Sequence, residues 1–266
     1  MLIDLHAHLL PAIDDGSRSV EESLEMARMC VQGGIVAMAC TPHILPGRYN
    51  NSAASIETAV SALRQELLAA GIPLTLYVGA DIHIAPDLLE KLNAGEVPTL
   101  NGSRYFLLEP PGAIRPIQFV KLTERLLAGG YVPIITHPER LPWVEKHFSD
   151  ITQAQDAGCL VQITAASLTG HFGSLAKRLS DRFLEAGRID IVASDAHGAT
   201  RRPPGLAAAR AVMAEQLGEA WAQDVFNRKP VAIVANAPAR EVTPRLPVSA
   251  PEPRPAAGGL MGWLRG

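Results

Sequence analysis

Short apolar runs alternate with longer amphipathic stretches along most of the chain. Residues 2–6 read as a first strand. Ser17 or Ser19 then caps a helix from Val20, with Glu21 and Glu22 in the first turn, where the helix dipole favours acid. Val20, Leu24, Ala27 and Val31 recur at helical spacing until Gly33-Gly34 stops the element. The pattern repeats. Apolar runs at 35–41, 74–80, 104–109, 131–136, 159–164 and 189–194 predict six more strands. Between them, Ile56/Val60/Leu63/Leu67, Phe119/Leu122/Leu126, Phe172/Leu175/Leu179/Phe183 and Leu206/Ala209/Met213/Leu217 mark helices. A short helix follows Pro86, a polar helical stretch runs to about residue 157, and another short helix runs to about 228. Such alternation implies right-handed βαβ units and a parallel sheet. Seven strands in a row predict a closed or nearly closed α/β barrel, with an open doubly wound sheet as the alternative. The first βα junction has no G-x-G-x-x-G, which counts against a dinucleotide fold.

From about Pro238 the periodicity ends and six prolines punctuate the sequence. The chain therefore divides into a folded domain at 1–237 and a disordered Pro-rich tail at 238–266. Residues 258–266 form a small apolar end, read as a frayed terminus or a docking motif. A length of 266 residues with 47% hydrophobic content suits one large domain. The net charge of -3 gives no nucleic-acid footprint. There is no run of 18 apolar residues to span a membrane, and no basic-then-apolar leader. Three scattered cysteines, Cys30, Cys40 and Cys159, fit a reducing cytoplasm better than a disulfide framework.

The chemistry sits at strand ends. In a parallel barrel all strand C-termini open on one face, which carries the active site. His6 and His8 follow the first strand, Thr41-Pro42-His43 the second and Asp81 the third. Glu109 ends the fourth, His137-Pro138-Glu139-Arg140 follows the fifth and Ser194-Asp195-Ala196-His197 the seventh. The sixth, ending Gln162-Ile163-Thr164, offers no such residue. Residues two apart share one face of a strand, so His6 and His8 project together. Asp4 has the same parity and is expected to point inward as a partner for a ligand histidine. Either Asp14 or Asp15 adds a carboxylate, while His83, His147 and His171 are read as surface or outer residues. So many donors exceed the needs of one ion and suit two or three divalent metals. Nitrogen and oxygen donors without thiolate fit manganese, iron or zinc. Such a cluster binds phosphate oxygens and activates a bridging water. Arg140 and the Arg201-Arg202 pair lie beside these ends, and a guanidinium fork matches phosphate. A cysteine phosphatase needs Arg six residues after its Cys; positions 36, 46 and 165 are Val, Pro and Ala.

The ordered motifs Asp-Leu-His-Ala-His, Thr-Pro-His, His-Pro-Glu-Arg and Ser-Asp-Ala-His resemble the PHP (polymerase and histidinol phosphatase) superfamily. Within it, Leu10-Pro11-Ala12-Ile13-Asp14-Asp15-Gly16, residues 164–170 and Arg202-Pro203-Pro204 resemble the bacterial capsular-polysaccharide tyrosine-phosphatase branch (CpsB/CapC/YwqE type). The resemblance covers about residues 1–237. It implies a distorted (β/α)7 TIM-like barrel, a trinuclear metal centre and hydrolysis of phosphotyrosine; the expected mechanism is direct attack on phosphorus by a metal-bridging hydroxide. It also implies a substrate in the tail of the tyrosine kinase controlling capsule or exopolysaccharide export. Carried over, the ligands are His6, His8, Asp14, His43, Asp81, Glu109, His137, Asp195 and His197, with Asp15 as the alternative to Asp14. Arg140 and Arg202 become the phosphate-binding pair. The implied cofactors are two or three divalent ions, manganese first, with iron, zinc or magnesium as alternatives. Position 81 departs from the pattern: Asp stands where Glu is usual, one methylene shorter. Three rivals stay open: a histidinol-phosphatase-type phosphomonoesterase, a metal amidohydrolase, and a non-catalytic metal-binding regulatory subunit. A homo-oligomer is also left open.

Overall fold

The computed structural model describes residues 2–245. The apolar end at 258–266 and most of the expected tail lie outside the described residues. Each of the seven expected strands is present. They are β1 (Leu2–Ala7), β2 (Ile35–Cys40) continued by β3 (His43–Ile44), and β4 (Thr75–Val78) continued by β5 (Asp81–His83). Then come β6 (Tyr105–Glu109), β7 (Val132–Thr136), β8 (Leu160–Thr164) and β9 (Ile191–Ala193). All ladders between them are parallel. The larger crossover helices are α1 (Val20–Gln32), α2 (Ala53–Ala69), α3 (Leu88–Asn93), α4 (Phe119–Ala128) and α5 (Phe148–Ala157). They are followed by the short α6 (Ala165–Leu168), by α7 (Gly173–Glu185) and by α8 (Ala207–Leu217).

The second and third strands are each broken in two, which the apolar pattern did not reveal. Pro42 lacks the N–H that a continuous ladder needs. Gly79 passes so close to Leu100 that a Cβ there would lie 2.8 Å from its Cδ2. The pieces therefore pair in two arcs, β1-β2-β4 and β3-β5-β6-β7-β8-β9. The ring closes where Asp195 N–H donates to the His6 carbonyl (2.8 Å) and His8 N–H donates to the Ala196 carbonyl (2.9 Å). This makes a distorted closed barrel, not an open sheet.

Local signals explain the helices. Ser19 caps α1 by accepting from Glu22 N–H, and Ser52 and Ser55 form a capping box at α2. The buried face of α2 is the expected Ile56, Val60, Leu63 and Leu67. On α1 the fully buried face is Ser23, Met26, Ala27 and Cys30, turned about one position from the expected stripe. A large apolar cluster joins the strands to these helices. A smaller one, including Ile3, Leu5, Ala37, Ala39, Leu107, Ile134, Leu160 and Ile191, fills the barrel interior. α9 (Glu219–Gln223) packs into the larger cluster, and the interior one is closed at the N-terminal end of the strands by α10 (Lys229–Val234) and α11 (Ala239–Val242), which contribute Ile233 and Val242 to the plug.

The folded chain thus continues past the expected boundary at 237. The Val242 side chain is fully buried, and Arg245 Nε donates to Asp190 Oδ1 at 3.2 Å. Asp190 is itself fully buried below β9, and it also accepts from Lys229 Nζ (2.8 Å), Gln155 Nε2 and Val161 N–H. A buried charge that loses its partner is strongly destabilising, on the order of 3–5 kcal/mol. With Arg245 and two neutral donors remaining, Lys229→Ala is expected to cost about 2–3 kcal/mol. Urea unfolding read by circular dichroism checks this; an unchanged midpoint would show that Arg245 and the two neutral donors satisfy Asp190 without Lys229.

Candidate metal centre

β1 delivers the first two imidazoles through a break in its own pleat. Its register against β2 slips between Asp4 and Ala7. A bulge of this kind re-aims side chains. Ile3 and Leu5 fill the barrel interior, and above them His6 and His8 also turn inward. Asp4 does not follow them, contrary to the parity expectation. Its Oδ1 accepts backbone N–H groups of His6 (3.3 Å) and Ser194 (3.1 Å), so it ties β1 to the end of β9 and holds no imidazole. Thr41 braces the same point, exchanging hydrogen bonds with the Ala7 backbone.

The inward nitrogens of His6 and His8 lie 3.3 Å apart. Their outer nitrogens are committed: His6 Nδ1 is 2.9 Å from Gln162 Oε1, and His8 Nδ1 is 2.6 Å from Asp14 Oδ2. A ring nitrogen facing an acceptor carries the proton, so both neutral rings turn a lone pair toward the other. That arrangement needs a positive charge between them, a proton or a metal ion.

The surrounding carboxylates favour the metal. Asp81 Oδ2 lies 3.4 Å from His6 Nε2, 3.4 Å from His43 Nδ1 and 4.0 Å from His137 Nε2, yet it is buried and hydrogen-bonded to none of them. His43 Nδ1 is likewise buried without a hydrogen bond, and Glu109 crowds in beside it, with Oε2 3.2 Å from His43 Nδ1 and Oε1 3.7 Å from His137 Nε2. One proton cannot serve so many converging donors; divalent cations with several open positions can.

Ligand atoms within 4.8 Å of one another form overlapping sets: His8/Asp15/His43/His197, His6/His8/Asp81, His6/His137/Asp195, His43/His83/Glu109 and Asp81/Glu109/His137. Shared members make these sets one cup, suited to more than one ion. Burial alone would lower the pKa of His6 and His43, yet the Asp81 carboxylate, with Asp195 for His6 and Glu109 for His43, lifts them to about 9 and about 11. His137 goes the other way, to about 4, through burial and the nearby Arg140. Asp81 and Asp195 are held well below the usual carboxylate range: burial opposes this, but His6 and its neighbours outweigh burial.

Eight of the nine expected ligands enter these sets, and Asp14 does not. Its Oδ2 accepts from His8 Nδ1 and from His43 N–H (3.0 Å), and its Oδ1 from Gly16 N–H (2.9 Å). Asp14 orients the histidines, and Asp15 faces the cup. Gly16 is required by this turn, because a Cβ there would collide with His8. His83, read from sequence as an outer residue, joins through Glu109 at 2.5 Å. The signal was available: it lies two residues past Asp81 on β5, on the same face. Gln162 gave no such signal, since an amide is no usual ligand. His171 lines a cleft beside Arg202.

The arginines reach the same cup through Asp195. Arg140 Nη1 and Arg202 Nη2 both donate to Asp195 Oδ2, while Asp195 Oδ1 lies 3.4 Å from His6 Nε2 and 3.5 Å from His8 Nε2. Arg201 instead donates to the Asp15 carbonyl. Glu139 holds the Arg140 turn, accepting from Thr164 N–H and Ser167 Oγ. A hollow of about 740 Å³ on the flank beside α2 contains none of these groups. The three cysteines are buried and free; burial pushes Cys40 and Cys159 up to about 12 and raises Cys30 further, so none is a ready nucleophile.

A family described as "Capsular polysaccharide synthesis, CpsB/CapC" matches residues 2–235. The chain belongs to the CpsB/CapC family. It is 37% identical over 201 residues to the tyrosine-protein phosphatase YwqE of Bacillus subtilis, covering 76% of this chain and 79% of that one. It is 31% identical over 238 residues to the tyrosine-protein phosphatase CpsB of Streptococcus pneumoniae, covering 88% and 98%. The crystal structures of YwqE and CpsB, described as unique metal-dependent tyrosine phosphatases, include a chain that superposes with a TM-score of 0.84 at 33% identity, over 89% of this chain and 96% of the other. The expected PHP-type barrel therefore stands. In this CpsB/CapC chain the shorter Asp81 still reaches three imidazoles.

Two outcomes follow. Gln162→Leu frees the His6 ring and is expected to weaken metal binding about 10- to 100-fold, read by chelator competition; unchanged affinity would mean that His6 needs no anchor. Asp15→Ala is expected to lower the metal content per chain by elemental analysis, whereas Asp14→Ala weakens affinity with the full complement still reached at saturation. The reverse result would exchange the two roles.

Proposed function

We propose that this chain is a metal-dependent protein-tyrosine phosphatase that hydrolyses phosphotyrosine without a cysteine nucleophile. The observation that carries the reading is the Asp195 carboxylate, with one oxygen in the imidazole cup and the other gripped by two arginines. It sets a cation-demanding centre beside a pair of phosphate-matching forks. The named relatives support the tyrosine specificity.

Bound metals would supply Lewis acidity to the phosphoryl oxygens and lower the pKa of an attacking water. His6, His8, Asp15, His43, His83, Asp81, Glu109, His137, Asp195 and His197 would hold them. The donor set is imidazole and carboxylate, which suits two or three ions of manganese, iron or zinc. Each guanidinium has five N–H donors and uses one on Asp195, leaving the rest for phosphate oxygens. Arg202 Nε is buried with no acceptor, a donor open to an incoming oxygen. Both arginines neutralise charge as the P–O bond to the phenol breaks. At the rim Tyr49 stacks on His43, centroids 5.6 Å apart and planes 15° apart, which puts an aromatic wall where an aryl ester enters. This favours an aryl phosphate over histidinol phosphate.

The physiological substrate in this reading is the tyrosine-rich tail of a bacterial kinase of capsule or exopolysaccharide export, supported by the family description. No helix among the described residues is long and apolar enough to cross a membrane, and three free buried cysteines suit the reducing cytoplasm.

Turnover of a phosphotyrosine peptide is expected to be lost in excess chelator, restored by manganese and insensitive to thiol alkylation; full activity in chelator would sink the metal reading. The same preparation is expected to prefer the peptide to histidinol phosphate, and the opposite preference would select the small-molecule rival. Arg140→Lys and Arg202→Lys each remove a planar fork and are expected to lower kcat/KM about 100-fold.

A further inference from the structure

Phe172 fits the helical repeat of α7 and reads from the sequence as a core residue. Its actual place is the cap position just before Gly173, half-buried, beside the two arginines. The Arg140 guanidinium carbon lies 4.5 Å from the Phe172 ring centroid, and that of Arg202 lies 5.2 Å from it. Both guanidinium groups also grip Asp195 Oδ2. Sharing one oxygen, they crowd toward one side of the ring and do not sandwich it.

Two like charges meeting at a single carboxylate oxygen repel each other, and one anion cannot fully compensate both. The face of an aromatic ring carries partial negative charge and attracts cations within about 6 Å. Phe172 supplies that face to both groups at once. It also gives the planar forks a flat surface to lie against, which limits their rotation.

We propose that Phe172 is a positioning residue: its ring holds Arg140 and Arg202 together in the orientation that receives the phosphoryl group. This rests on the reading of the two arginines as phosphate-binding groups. The ring lies against the two guanidinium groups, not among the metal-ligand sets. Its loss therefore weakens phosphate binding and leaves the metal centre loaded.

The test uses the metal-loaded full chain, with inorganic phosphate as the probe. Phe172→Leu keeps apolar bulk and removes the π face. It is expected to raise KM for a phosphotyrosine peptide and the inhibition constant of phosphate together, about 5- to 30-fold, with metal content unchanged. Phe172→Tyr keeps the ring and is expected to restore both constants. Replacing Phe172 by a ring-fluorinated phenylalanine drains the π face at nearly constant shape and is expected to give an intermediate loss; it carries the test if Phe172→Leu does not fold. A phosphate constant unchanged in the Leu and fluorinated variants, or equal damage in Leu and Tyr, overturns the proposal. Arg140→Gln separates the two levels. If it too leaves the phosphate constant unchanged, the arginine reading fails; if it raises the constant while the Phe172 variants do not, only the role of Phe172 falls.

Discussion

Two inward imidazole nitrogens 3.3 Å apart hold together only with positive charge between them, and much of the barrel mouth is arranged to keep them there. Gln162 and Asp14 fix the outer protons, and the slip in β1 turns both rings to the same side. Asp4 and Thr41 secure the backbone on either side of that slip. Further carboxylates and histidines surround the pair with more unsatisfied donors. Cations held in such a site link metal binding to local folding.

Asp195 couples this demand to the arginines. A carboxylate serving a cation cup on one oxygen and two guanidinium groups on the other cannot move without disturbing both. Its backbone is in the left-handed region, with φ 51°, as is that of His137, with φ 35°. Non-glycine residues held there are strained, and strain of this kind persists where surrounding contacts impose it. At Asp195 the imposing contact is the ring closure between β9 and β1.

Period-two and strand-end logic made most of this legible. His43, Asp81, Glu109, His137, Asp195 and His197 could be found because parallel strands all end on one face. The failures have physical causes. A bulge cancels parity, so Asp4 was placed on the wrong side. Asp14 and Asp15 lie in a turn whose path depends on how closely Gly16 passes His8, which adjacent letters do not encode. Gln162 has no charge to announce it, and Phe172 satisfies a helical pattern while serving a different purpose. Prolines suggested an early end to the fold, but Val242 and Arg245 find tertiary partners that override local composition.

The Asp190 cluster has a geometric consequence. It lies under the N-terminal end of β9, whereas the cup lies beyond the C-terminal ends of the strands. Arg245, the last described residue, is therefore anchored at the pole opposite the mouth that carries the cup. A surface, bead or fused protein attached through that pole would leave the mouth facing outward, accessible to a polypeptide too large to enter the barrel.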